Sequence, residues 1–91
     1  MFFYYKDLMD RAWMYELPRV DPRYHLKVST FIDAAKSHAS RRKEKEILCP
    51  CIDCDNKKAW LDTRIIHSHL IKRGFRPNYK IWSEHGEVDD D

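Results

Sequence analysis

A small, mainly α-helical domain closed around a cysteine-rich knuckle is the fold the sequence predicts. Three observations predict it. Val28, Phe31, Ile32, Ala35 and Ala39 recur at i, i+3, i+4, i+7 and i+11, the spacing of one buried helix face. A further helical stretch runs from Asp62 to Gly74, with Asp62 or Thr63 as N-cap and Gly74 where a glycine ends the last turn. Between them, Cys49-Pro50-Cys51-Ile52-Asp53-Cys54 packs three thiols into one short loop.

The chain opens with a first helix expected over about Tyr5–Tyr15, with Leu8, Ala12 and Tyr15 on one face and Trp13 and Met14 beside them. Asp7 and Asp10 supply early acids that favour a helix start. Leu17-Pro18-Arg19-Val20-Asp21-Pro22 then breaks the chain, because two closely spaced prolines forbid a continuing helix. The second helix carries the apolar stripe and ends in Arg41, Arg42, Lys43 and Lys45, favourable against the helix dipole. Ile47-Leu48 reads as a short extended segment, and Lys57-Lys58-Ala59-Trp60-Leu61 as the lead into the third helix. Beyond Gly74, Phe75, Tyr79 and Trp82 are expected to cover that helix.

Three cysteines leave one over in any disulfide scheme, and Cys49 and Cys51 are too close to bridge without strain. Zinc resolves both problems, since three thiolates and one imidazole form a standard closed tetrahedral set. Three reduced cysteines acting as small hydrophobes are the plain alternative. In the third helix, Ile65, Ile66, His69 and Leu70 share one side, while His67 points to the opposite flank with Ser68 and Ile71. A structural ligand must face the packed side, so the predicted set is Cys49, Cys51, Cys54 and His69. His67 is then an exposed surface histidine, and His85 the fallback ligand.

Ninety-one residues make one small domain, or a fragment of a longer chain, with an adequate but thin core, for which a metal staple is a usual remedy. No apolar run approaches the ~20 residues of a membrane span. Met1-Phe2-Phe3-Tyr4-Tyr5 is interrupted too soon by Lys6 and Asp7 for a signal peptide. Reduced cysteines without an export signal point to the cytosol or nucleus. Nothing supplies a catalytic acid or an oxyanion hole at recognisable spacing, so neither an enzyme nor a small-molecule substrate is expected.

The formal charge of +2 hides an uneven distribution. Glu87, Asp89, Asp90 and Asp91 read as a solvated acidic tail, which leaves the preceding residues more strongly positive. Arg41, Arg42 and Lys43 lie just before the knuckle, and Lys57 and Lys58 just after it. They form the expected contact set for a DNA backbone, because phosphate contacts dominate nucleic-acid binding. An ordinary solvated face is the plain reading of the same charges. A protein partner or self-association through Trp13 or Trp60 is the alternative function.

Several motifs together resemble one family. Asp10-Arg11-Ala12-Trp13-Met14-Tyr15 is similar to a D-R-x-W-M-Y opening, and Tyr24 with Val28, Phe31, Ile32 and Ala35 to a Y…V-x-x-F-[IL]…A helix. Cys49–Asn56 resembles C-P-C-x-x-C-x-N, and His69 to Glu87 resembles H-L-x-x-x-G-F…Y-x-x-W-x-x-H-G-E. The combination resembles the transposase-associated domain of plant CACTA (En/Spm-type) transposases and their domesticated relatives. Lys27 departs from it, standing where the family often has glycine. The resemblance spans residues 8–87, with 1–7 as lead-in and 88–91 as acidic tail. It implies a non-catalytic accessory module in a nuclear, DNA-related setting.

Overall fold

The structure, a computed structural model, describes residues 11–87. In this range lie α1 (Trp13–Glu16), α2 (Pro22–Arg41), β1 (Ile47–Leu48), β2 (Ala59–Trp60), α3 (Thr63–Arg73) and a 3-10 turn (Ser83–His85). The N-terminal part of the expected first helix, including Leu8, lies outside the described residues, as do Asp89, Asp90 and Asp91. Helices dominate, but a two-stranded antiparallel sheet accompanies them, pairing Ile47 with Trp60 and Leu48 with Ala59. The lead-in to α3 is therefore partly a strand, which its short Ala-Trp sequence did not announce.

Both long helices start by the same device. Asp21 caps α2 by accepting from the Arg23 N–H at 2.8 Å, and Asp62 caps α3 by accepting from the Arg64 N–H at 2.9 Å. In each case the arginine side chain also returns to the capping carboxylate, at 2.8 Å and 2.9 Å. These contacts depress the carboxyl pKa, to about 2 at Asp21. Pro22 occupies the first turn of α2, where its missing N–H costs nothing. α2 thus begins well before Lys27, and the lysine at the family's glycine position sits in regular helix.

α2 ends in a Schellman motif, with Glu44 N–H donating to Ala39 C=O at 2.9 Å and Lys43 N–H to Ser40 C=O at 3.0 Å. Lys43 takes the left-handed conformation there, φ 59°. At the end of α3, Gly74 (φ 82°) donates to Leu70 C=O at 3.0 Å. The Arg19 guanidinium reaches the carbonyls of Ile71 and Lys72, satisfying acceptors that a helix end otherwise leaves open.

The stripe of Val28, Phe31, Ile32, Ala35 and Ala39 is buried throughout, and Ile66 and Leu70 of α3 pack against it. Tyr24 ties the two helices by donating its hydroxyl to Leu70 C=O at 3.1 Å. Phe31 stands at the centre. The rings of Trp82, His85 and Phe75 meet it edge-on at 4.9, 4.9 and 5.4 Å. Phe75 and Trp82 therefore pack on Phe31 of α2, where the sequence placed them over α3. In α1 the buried residue is Met14; Tyr15 keeps an exposed ring while its hydroxyl accepts from Tyr79 N–H at 2.8 Å.

Candidate metal centre

The connection between β1 and β2 is the cysteine knuckle, and backbone bonds shape it. Cys49 N–H donates to Lys58 C=O at 2.9 Å, Asp55 N–H to Cys51 C=O at 2.8 Å, and Asn56 N–H to Cys49 C=O at 2.9 Å. Closing so tight a loop requires left-handed backbone at Asp55 (φ 53°) and Asn56 (φ 57°), residue types that tolerate it best after glycine. The loop is also stitched to the segment after α3. Ile52 N–H donates to Gly74 C=O at 3.0 Å and Arg76 N–H to Pro50 C=O at 2.8 Å, around a bridge pairing Cys51 with Phe75.

This framework points Cys49, Cys51 and Cys54, all buried, at His69 on α3. His69 Nδ1 lies 3.6 Å from Cys49 Sγ, 3.9 Å from Cys51 Sγ and 3.6 Å from Cys54 Sγ. All four donor atoms fall within 4.8 Å of one another. A tetrahedral ion with metal–sulfur bonds of ~2.3 Å and metal–nitrogen bonds of ~2.0 Å needs edges of about 3.5–3.8 Å. The donor set is close to that size and can hold a metal ion after a small contraction.

The electrostatics suit the same purpose. Burial lowers the pKa of His69, and the nearby Arg73, Lys72 and Lys58 lower it further, so its imidazole is neutral and free to ligate. Burial pushes the Cys49 thiol up. Burial also raises Cys51, but the Cys54 N–H at 3.2 Å and the Arg73 guanidinium at 3.7 Å outweigh it and hold that thiol below its usual range. Trp60 of β2 closes the site from the side, meeting the His69 ring edge-on at 5.5 Å.

The family model of the transposase-associated domain matches residues 11–87, nearly all of the chain. The chain belongs to this family. No curated protein and no solved structure matches it.

In this transposase-associated domain the other histidines stand apart from the cluster. His67 is half-buried, not fully exposed, because its ring packs 6.2 Å from that of His25 on α2. His85 is buried with both nitrogens engaged: Nε2–H donates to Leu48 C=O at 2.7 Å, and Nδ1 accepts from the Tyr79 hydroxyl at 2.6 Å. Burial holds it neutral, with its pKa lowered to about 4. Of the basic residues expected near the knuckle, Arg41, Arg42, Lys43, Lys57 and Lys58 are all exposed. Arg42 pairs with Glu44 at 3.2 Å and Lys57 approaches Asp55 at 3.8 Å, so two of the five already have acidic partners. Trp13 and Trp60 are half-buried and pack against the core.

Sequence reasoning missed a second centre, where the two ends of the described chain meet. Arg11, only 7% exposed, donates to both carboxylate oxygens of Glu87 at 2.7 and 2.6 Å and to Lys80 C=O at 2.7 Å. Its guanidinium carbon lies 3.5 Å from the Trp82 ring centroid, and Glu87 also accepts from Trp82 N–H at 2.8 Å. Glu87 is thus no part of a solvated tail. Burial alone would raise its pKa, but the bonds from Arg11 and Trp82 hold it lowered. The available signal was the pairing of D-R and H-G-E at opposite ends of the family pattern.

Proposed function

We propose that this domain is a non-catalytic, zinc-stapled accessory module of a transposase-like nuclear protein, and that it contacts the DNA backbone. The observation that carries the reading is the closed donor set. Cys49, Cys51, Cys54 and His69 supply four ligands and three of them are soft thiolates, a combination that favours zinc. A four-ligand site leaves no position open for a substrate, so the ion's contribution is to folding rather than to chemistry. Membership of the transposase-associated family supports the accessory role and the nuclear setting. No helix among the described residues is long and apolar enough to cross a membrane.

DNA contact rests on charge. Arg41, Arg42, Lys43, Lys57 and Lys58 flank the knuckle in sequence and are exposed, and no helix among the described residues presents the Asn, Gln and Arg pattern that reads base edges. Contacts therefore go to phosphates, and binding is expected to be weakly sequence-selective and steeply salt-dependent. The test is titration of a fluorescent duplex at two salt concentrations with wild type and an Arg41→Ala/Arg42→Ala/Lys43→Ala variant. Loss of affinity and a shallower salt dependence in the variant support the reading. Absence of wild-type binding at low salt would leave a protein partner as the better one.

A further inference from the structure

The buried face of α3, Ile66 and Leu70, is spent on the core. Its outer side carries Arg64, Ser68 and Lys72, each four residues from the next and hence in one row along the helix. This row borders an open groove of about 500 Å³, which reaches to His69 and is lined by Arg64, Lys72 and Arg73 against a single carboxylate, Asp62. Lys72 has no carboxylate partner within 4 Å among the described residues, whereas Arg64 is held by Asp62 and Arg73 lies 3.7 Å from Asp53. Lys58, exposed at the start of β2, adds a further positive charge near His69.

Three other grooves are less suited to an anion. Those beside the end of α2 are lined by Glu44 and Lys45 together with Glu46 or Asp62, so acids match or outnumber the bases. The groove along α2 holds Lys27 and Arg41, but these lie about 21 Å apart along the helix, and its third cation, Arg11, is consumed by Glu87. Arg64 and Lys72 are separated by about 12 Å along α3, comparable to the ~12 Å width of a duplex major groove. The row is therefore long enough to meet more than one phosphate.

We infer that the outer row of α3, Arg64, Ser68 and Lys72 with Arg73 and Lys58 beside it, is the principal surface on which this domain meets the phosphodiester backbone of duplex DNA. This rests on the DNA reading above and moves the centre of the contact from the end of α2 to the helix that supplies His69. Because a metal ligand lies on the same helix, the row is fixed in orientation before binding, which limits the entropic cost of association.

The experiment titrates a short fluorescent DNA duplex at several salt concentrations with wild type, Arg64→Gln/Lys72→Gln and Arg41→Gln/Arg42→Gln, each confirmed by metal content and circular dichroism. The α3 variant is expected to lower the slope of log affinity against log salt by about one for the unpaired Lys72, and by about two where Arg64 exchanges Asp62 for a phosphate. The α2-end variant is expected to lower it by less. Should the double α3 variant lose its fold, Lys72→Gln alone is expected to lower the slope by about one. Unchanged binding in the α3 variant with loss in the α2-end variant would overturn the inference and leave the DNA reading intact. No binding by wild type at low salt would overturn both.

Discussion

Two centres hold this domain together, and they use opposite chemistry. The knuckle gathers Cys49, Cys51 and Cys54 from one loop and His69 from the next helix, four donors close enough together to hold a metal ion. The Arg11–Glu87 clasp joins residues at the two ends of the described chain with ordinary charge, hydrogen bonds and an aromatic face, and is complete without a cofactor. The first centre has short chain closure and a place for an ion. The second has long chain closure and none. Metal removal should therefore distinguish them sharply, while side-chain substitutions should damage each by its own mechanism.

The largest effect is expected from Cys51→Ser. It removes a ligand at the point where the knuckle is bridged to Phe75, and structural zinc contributes on the order of 10 kcal/mol in small domains. Loss of the cooperative thermal transition, reproduced in wild type by a chelator, is the expected result. A variant that melts like wild type would make the knuckle an ordinary apolar loop.

A smaller loss is expected at the clasp. Arg11→Met leaves Glu87 partly buried without its partner, and breaking such a pair costs about 3–5 kcal/mol. Denaturant unfolding should register the loss while metal content stays at wild-type level. Loss of metal in this variant would show that the two centres fold as one unit.

The third effect depends on pH. His85 has a folded pKa of about 4, below the unfolded value, so the unfolded chain binds the extra proton first. Its contribution is fully present above about pH 6.5. It is lost progressively as pH falls toward 4, by at most about 3 kcal/mol. His85→Gln, which keeps a donor for Leu48 C=O, should remove this part of the acid sensitivity. An unchanged difference between stability at pH 6.5 and pH 5 would contradict a neutral, buried His85.

The difference between the centres also explains what the sequence revealed. The knuckle was legible because its ligands are rare residue types at short spacing, and because helical phase alone places His69 with Ile66 and Leu70 and turns His67 away. The stripe from Val28 to Ala39 and the limits of α3 at Asp62 and Gly74 were legible for similar reasons, since periodicity and caps are local. The clasp was not. The H-G-E motif marks Glu87 but does not say what it binds, and its partner lies at the other end of the described chain. The strand at Ala59–Trp60 was hidden too, because its pairing with Ile47–Leu48 is imposed by the turn the knuckle makes. Trp60 and Arg73, which flank the cluster, have no spacing rule that would have assigned them there.

The central claim is that Cys49, Cys51, Cys54 and His69 form one structural zinc site, and elemental analysis of freshly purified, chelator-free protein tests it most directly. One zinc per chain is expected in wild type and in His67→Ala, with loss of the ion in His69→Ala. Metal-free wild type, or zinc retained by His69→Ala and lost from His67→Ala, would contradict it.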